Sequence, residues 1–170
     1  MKKIALLFFI LFSSNTLAND TIRFVDFNNL ILTSEAGKDI DDKIKKLSDN
    51  ELSKFEKERE VLADKENKLV AKKNILEDEV FKNELAKLKK EINSFRQNRR
   101  NKINEIKNKQ TIAKSKLIQE INALLSEYAI KNSISLILNK QTIAAGKKEL
   151  EITNEIRENL NKKIKRIKIE

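Results

Sequence analysis

The chain has 170 residues, of which 36% are charged and 39% hydrophobic, and its formal net charge is +10. Two glycines and no proline, where average soluble domains have about 7% and 5%, are typical of long exposed helices. A sequence without Cys or His excludes the usual zinc sites, thiol or Ser-His nucleophiles and the common haem ligands. We therefore expect no enzyme, no catalytic residue and no bound cofactor or metal.

Residues 1–18 show the features of a secretory signal peptide in the right order. Lys2 and Lys3 precede the apolar run Ile4–Phe12, and small residues at positions 16 and 18 suit a signal peptidase. This run is too short to span a bilayer as a helix, which takes about 20 apolar residues. We predict cleavage after Ala18. Loss of two lysines would leave a soluble, exported periplasmic protein with a net charge of +8.

The first segment after the leader predicts a strand followed by a short helix or turn. Residues 21–27 are β-branched and aromatic, which is typical of a strand. Residues 28–34 predict the short helix or turn. Gly37 follows, and it is one of the two positions where the backbone could take a positive φ without steric cost. We expect residues 19–37 to form the first half of a small β-rich body.

The pattern of residues 38–131 is helical throughout. Apolar residues recur three, four or seven apart, which indicates a coiled coil, but residues 55–76 have a stripe too thin for a globular bundle. A straight helix of this length would extend about 140 Å, so we predict an antiparallel hairpin with its tip near 74–79. There Asn74 would end one helix and three acids would begin the next. The stripe comprises Ile40, Ile44, Leu47, Phe55, Leu62, Leu69, Leu76, Leu85, Leu88, Ile92, Phe95, Leu117, Ile121, Leu124 and Tyr128.

The periodicity changes again after residue 131. Residues 134–138 predict a buried strand, residues 142–145 a second strand that ends near Gly146, and residues 149–152 a short third strand. Thr153 would be a good N-cap for a last helix over residues 154–163, and we expect the basic tail, residues 164–170, to fray. Residues 19–37 and 132–163 thus make one discontinuous body. A body so small is marginal by itself, which favours oligomerisation.

Charge is distributed unequally along the hairpin. Residues 38–84 carry 12 basic and 14 acidic groups, a net of −2, whereas residues 85–116 carry 11 basic and two acidic groups, a net of +9. The densest basic stretch could contact an anionic client, lipid or lipopolysaccharide, although a solvated helix face is the ordinary alternative. The export signal and the lack of a base-reading module argue against nucleic acid. The candidate contact residues are Arg96, Arg99, Arg100 and Lys102.

Four local sequences carry a resemblance to a known family. Residues 22–27, Ile-Arg-Phe-Val-Asp-Phe, look like the family's opening strand, and residues 34–38, Ser-Glu-Ala-Gly-Lys, like its turn into the first long helix. Residues 136–139 match its second strand, and residues 150–156 match its Asp-Ile-Thr cap, with Glu151 in place of Asp. Over about residues 20–162 the chain therefore resembles the Skp/OmpH family of periplasmic chaperones.

The resemblance implies an α+β fold, in which a long antiparallel coiled-coil hairpin stands on a small β-rich oligomerisation body. It also implies a jellyfish-like homotrimer, whose arms hold unfolded outer-membrane proteins in a cavity without ATP. The family has no catalytic residues, and its client contacts are diffuse over the inner arm surfaces. We expect the oligomer body to include Ile22, Phe24, Val25, Leu136, Ile137 and Leu138.

A protein of a different class would fit part of the same pattern. An exported coiled coil that spaces or tethers layers of the cell envelope would share the leader and the heptads, and it would bind no client. Such a spacer needs neither β segments at both ends of the hairpin nor gaps in its apolar stripe. These two features favour the chaperone over the spacer.

Overall fold

The computed structural model describes residues 21–169, and within them two long helices form an antiparallel hairpin on a small body. The predicted signal peptide and its cleavage site at Ala18 lie outside the described residues. The elements in chain order are β1 (Ile22–Val25), α1 (Phe27–Thr33), α2 (Glu35–Ala71), α3 (Asp78–Lys131), β2 (Leu136–Asn139) and α4 (Thr153–Lys163), with 3-10 turns at Lys140–Thr142 and Lys148–Leu150.

The two strands bring the ends of the hairpin together. β1 and β2 pair in parallel, from Ile22 opposite Leu136 to Val25 opposite Asn139. On the other side of β1, Phe24 forms a bridge with Glu151. β1 is therefore the middle of the small sheet, and β2 is one of its edges. The predicted fold, a helical hairpin on a small β-rich body, is confirmed.

Of the three strands predicted after the hairpin, one forms as β2, the one at 142–145 is wrong, and the third is only a single bridge. The chain forms 3-10 turns at 140–142 and 148–150, and the third strand is reduced to the bridge at Glu151. Local bonds explain the first turn, because the Asn139 side chain accepts from the Gln141 amide at 3.2 Å and the Thr142 hydroxyl donates to the Asn139 carbonyl at 2.8 Å. Such side-chain bonds compete with the ladder of a sheet.

Thr153 joins two elements instead of capping its own helix. α4 begins at Thr153 with Ile152 in the N-cap position. The buried Thr153 hydroxyl accepts from the Asp26 amide at 2.9 Å and donates to the Glu151 carboxylate at 2.9 Å. Asp26 in turn caps α1, since its carboxylate accepts from the Asn29 amide at 2.9 Å. The end of β1 is thereby fixed to the starts of both short helices.

Gly37 is required by close packing and not by its backbone angles. Neither glycine has a positive φ, and among the described residues a positive φ is found at Ser133, where it is 52°. Gly37 lies in the first turn of α2, and a Cβ there would be 1.7 Å from the carbonyl oxygen of Ile31. The expectation of a freely turning glycine is therefore corrected. A side chain at this position would push α1 away from α2.

The hairpin reverses over residues 72–77. α2 ends at Ala71, three residues before Asn74, because amides of the next residues bond back: Lys72 donates to the Leu69 carbonyl and Lys73 to the Val70 carbonyl. α3 then begins with Asp78 and Glu79 in its first turn. These acids suit the positive end of the helix dipole.

Within residues 21–169, none of the helices combines the length and the hydrophobicity that a membrane-spanning helix needs.

The hydrophobic core lies at the open end of the hairpin, which we call the root. There α1 and α4 pack against the start of α2 and the end of α3. Complete burial of one such side chain contributes roughly 1.5–3 kcal/mol to stability. The largest fully buried side chains are Leu30, Ile40, Leu117, Ile121, Ile156, Leu160, Val25 and Ser34.

The tail over residues 164–169 is docked and does not fray as predicted. It leaves α4 in an extended conformation and runs along the start of α2, where Ile167 is 8% exposed and packs in the core. The Lys43 ammonium donates to the Ile167 carbonyl at 3.4 Å, and the Lys165 ammonium lies 3.8 Å from the Glu35 carboxylate. The prediction of fraying relied on the basic residues and ignored the isoleucines between them.

Candidate functional site: the hairpin arms and the edge of the body

The arms beyond the root are thinly packed. Between Ile44 and Ala113, Phe55 and Leu88 are the buried hydrophobic residues; Leu47 is exposed, and the rest of the predicted stripe is half-buried. Phe55 meets Phe95 edge to face, with ring centroids 6.1 Å apart. Such a contact contributes about 0.5–1.5 kcal/mol beyond burial. The two helices are therefore joined at few points along the arm.

Three open grooves follow the arms. One near the tip has a volume of about 500 Å³, the next one about 620 Å³, and the two share Lys65, Lys87 and Glu91. The third, which we call the root groove, has about 370 Å³ and is lined by Lys43, Lys46, Leu47, Asn50, Lys109 and Ile169. We call the three together the lysine grooves. Their charged lining residues are Lys43, Lys46, Lys65, Lys68, Lys72, Lys87, Lys90 and Lys109, against Glu58, Glu84 and Glu91.

A fourth groove of about 230 Å³ has a different lining. Leu52 and Ile103, both about half exposed, flank the buried Phe55 there. Its charged residues are one glutamate and one lysine, Glu51 and Lys107. The arms therefore present both an apolar groove with balanced charge and grooves in which lysines outnumber glutamates.

The four predicted anion contacts lie within two turns of α3. Arg96, Arg99 and Arg100 are exposed, and none of the four lines the grooves described above. The Lys102 ammonium bonds to the Glu105 carboxylate at 2.7 Å, and this bond is the main cause that lowers the pKa of Glu105. Arg96, Arg99 and Arg100 are spaced i, i+3 and i+4, so they lie on one face of the helix, and Lys102 follows three residues after Arg99.

The predicted body residues divide into two groups. Phe24 and Val25 are buried in the chain's own core, whereas Ile22 and Leu136 are 44% and 48% exposed. Ile137 and Leu138 are half-buried, so the strand predicted to be buried is open on one side. The cause is the small sheet, because nothing within residues 21–169 forms a third strand outside β2.

An apolar groove of about 410 Å³ runs beside β2. Its lining includes Phe27 and Leu125 from the helices, together with Ile134 and Leu136. Ile130, at the end of α3, is also strongly exposed. The edge of the body therefore offers an apolar surface next to unpaired strand backbone.

The sequence analysis missed the polar contact that joins α3 to α4. The Tyr128 hydroxyl donates to the Glu155 carboxylate. Burial and this hydrogen bond raise the pKa of Tyr128 to about 12. Tyr128 was assigned to the apolar stripe, and no signal in the sequence reveals that Glu155 lies beside it.

Comparisons with known proteins agree with this architecture. Residues 21–160 match the family described as "Outer membrane protein (OmpH-like)". The crystal structure of a Caulobacter crescentus protein, assigned as an OmpH-like outer membrane chaperone, is similar with a TM-score of 0.81. The two share 19% identity, with 86% of this chain and 87% of that chain covered, which shows a common fold. No curated protein matches the sequence. The docked tail lies beyond the family match.

Proposed function

Because the chain belongs to the OmpH-like family, we propose that it is an ATP-independent holdase chaperone of the periplasm. It binds unfolded outer-membrane proteins between its helical arms and prevents their aggregation on the way to the outer membrane. The predicted signal peptide over residues 1–18 supports export to that compartment. Chemistry on the client is not part of this function, since holding requires no reactive group.

The thin packing of the arms is the observation that carries the proposal. One buried Leu or Phe per heptad contributes roughly 1.5–3 kcal/mol, whereas ordering each residue costs about 1–2 kcal/mol before helix hydrogen bonds are counted. Arms joined only at points such as Phe55 and Leu88 therefore form, but bend and splay at low cost. This property suits the enclosure of clients of different size.

The exposed edge of the body supports a homotrimer. Ile22 and Leu136 expose apolar surface, and β2 leaves one side of its backbone unpaired in the single chain. Contiguous apolar surface beside an open strand edge is characteristic of an interaction site. Three copies joined through this edge would place their arms around a common cavity, as the family resemblance implies.

The charge of the arms supports a role for electrostatic attraction in the first encounter with an unfolded client. The lysine grooves carry eight lysines against three glutamates. A cationic surface attracts acidic unfolded chains at a distance and accelerates association at low salt. The exposed residues Arg96, Arg99 and Arg100, together with Lys102, are available for peripheral contact with anionic lipid or lipopolysaccharide.

The proposed function is tested with purified protein over residues 19–170 and a urea-denatured β-barrel protein. On dilution without ATP, we expect light scattering by the client to be suppressed at a ratio near one oligomer per client. Rapid aggregation of the client would overturn the holdase proposal and favour the envelope spacer. Repeating the capture at high salt tests the role of charge, because a rate that does not change would exclude electrostatic attraction.

A further inference from the structure

The docked tail shows how an extended chain lies on the hairpin. Ile167 and Ile169 are two residues apart, and such residues point to the same side of an extended chain. Ile167 is buried, its carbonyl accepts from the Lys43 ammonium at 3.4 Å, and Ile169 lines the root groove. The root of the arm therefore receives an extended backbone, apolar side chains and a backbone hydrogen bond at the same time.

The root groove is lined by the two long helices as well as by the tail. Besides Ile169 it is lined by Leu47, which is 40% exposed, and by Lys46 and Lys109. Farther along α2, Val61 lines the next lysine groove. Leu47 and Val61 are 14 residues apart, which is about four helical turns or about 21 Å, so they lie on one face of the helix. The lysine grooves thus follow one side of the hairpin from the tail to the tip.

Charge identifies the chain that would fit there. The tail itself brings Lys165, Arg166 and Lys168 to a surface whose groove lining has three lysines and no acid. Two of these lysines have acidic neighbours outside the lining, since Lys43 pairs with Asp39 at 2.6 Å and Lys109 lies 3.9 Å from Glu105. A segment with carboxylates where the tail has Lys165, Arg166 and Lys168 would form charge-assisted bonds to the groove lysines. Leu47 and Val61 are apolar parts of the groove lining, and hydrophobic side chains of a bound segment would pack on them. In an extended segment these side chains would stand at alternate positions.

We propose that the lysine grooves bind an extended segment of a client in which apolar side chains alternate with carboxylates, in line with the docked tail. This inference rests on the proposed function and assigns it a site. The bound segment would lie along α2, with its apolar side chains on Leu47 and Val61 and its carboxylates at Lys46 and Lys109.

A labelled peptide tests the site. The probe is a fluorescein-labelled peptide of 12 residues that alternates valine and glutamate, and a valine-lysine peptide is the control. Fluorescence anisotropy with the protein over residues 19–170 should detect the glutamate peptide and not the lysine peptide. The double variant Lys46→Glu/Lys109→Glu should raise Kd about tenfold, since two close charge pairs become repulsive.

A matched variant separates the site from the overall charge. Lys45→Glu/Lys89→Glu changes the net charge equally, but both lysines are exposed and neither lines a lysine groove. It should raise Kd by less than about threefold. Equal weakening by both double variants, or no weakening by the groove variant, would overturn the proposal. Circular dichroism should show unchanged helix content in both.

A photo-crosslinking experiment gives an independent readout. A benzoyl-phenylalanine at position 47 should crosslink the glutamate peptide. The same group at position 52, where Leu52 lines the groove beside Phe55, should not. Crosslinking at position 52 alone would overturn the proposed site. If the protein suppresses aggregation of the denatured β-barrel protein while these results fail, the groove is wrong and the holdase function stands; failure to suppress aggregation refutes the holdase function itself.

Discussion

The root and the arms of the hairpin use the same helices in opposite ways. At the root, Leu117 and Ile121 of α3 are fully buried against α1, α2 and α4. Along the arms, α2 and α3 have only each other, and residues such as Leu62 and Leu69 stay half-buried. A helix is therefore rigid where it has several neighbours and adaptable where it has one. We infer that the root maintains the structure and the arms do the binding.

Removal of the arms should have the largest effect on function of the changes predicted here. A variant in which a short linker replaces residues 48–110 keeps the root core, including Ile40 and Leu117. We expect it to form the proposed trimer and to lose suppression of client aggregation, because the grooves along the arms are removed and the root groove loses Asn50 and Lys109. Light scattering measures the mass of the product. A monomeric product would contradict the assignment of oligomerisation to the body.

A pair of leucine variants compares stability in the two regions. Leu117→Ala should lower the free energy of unfolding by about 2–5 kcal/mol, since it leaves a cavity in the buried core. Leu62→Ala should cost about 1 kcal/mol, because the side chain is only half-buried. Urea unfolding followed by circular dichroism gives both values. Equal losses would mean that the arms are packed as firmly as the root.

The two glycines provide a second pair, with smaller effects. Gly37→Ala places a Cβ 1.7 Å from a backbone oxygen of Ile31, so we expect a loss of about 3 kcal/mol, at the upper end for overpacking. Gly146→Ala places a Cβ 3.1 Å from the Phe24 ring. A side chain can move, so the loss should stay below about 1 kcal/mol. Thermal unfolding measures both, and a harmless Gly37→Ala would refute the close approach of α1 and α2.

The smallest effect concerns the pH dependence of the root. The pKa of Tyr128 is raised from 10.0 to about 12 by burial and by its bond to Glu155. The neutral tyrosine therefore stabilises the fold below pH 10, and this contribution is lost as the pH rises from 10 to 12. Tyr128 is the one tyrosine of the chain, so its absorbance at 295 nm measures the pKa directly. A midpoint near 10 in the folded protein would exclude the contact with Glu155, and Tyr128→Phe should remove the loss.

The hairpin could be predicted because its signal is periodic. Phe55, Leu62 and Leu69 recur every seven residues, and this spacing alone places them on one face of a long helix. The body was predicted less well, since segments of three to five residues carry too little pattern. Residues 142–145 have strand-like composition, yet the local bonds of Asn139 produce a turn before them.

The candidate sites needed the structure for a different reason. The Arg96–Lys102 cluster was found because its members are close in sequence. The lysine grooves instead combine residues from both long helices, such as Lys46 of α2 and Lys109 of α3. Their meeting depends on the register between α2 and α3, which no single segment specifies. The docking of the tail was not predicted, because the sequence does not show that its three isoleucines lie beside the core of the root.

Hydrogen exchange with and without an unfolded client tests the division between root and arms most directly. In the protein alone, we expect slow exchange for root amides such as those near Ile121 and Ile156 and fast exchange over residues 48–110. Addition of a denatured β-barrel protein should slow exchange in the arms and leave the root unchanged. Equal protection in both regions, or arms that do not respond to the client, would contradict the account.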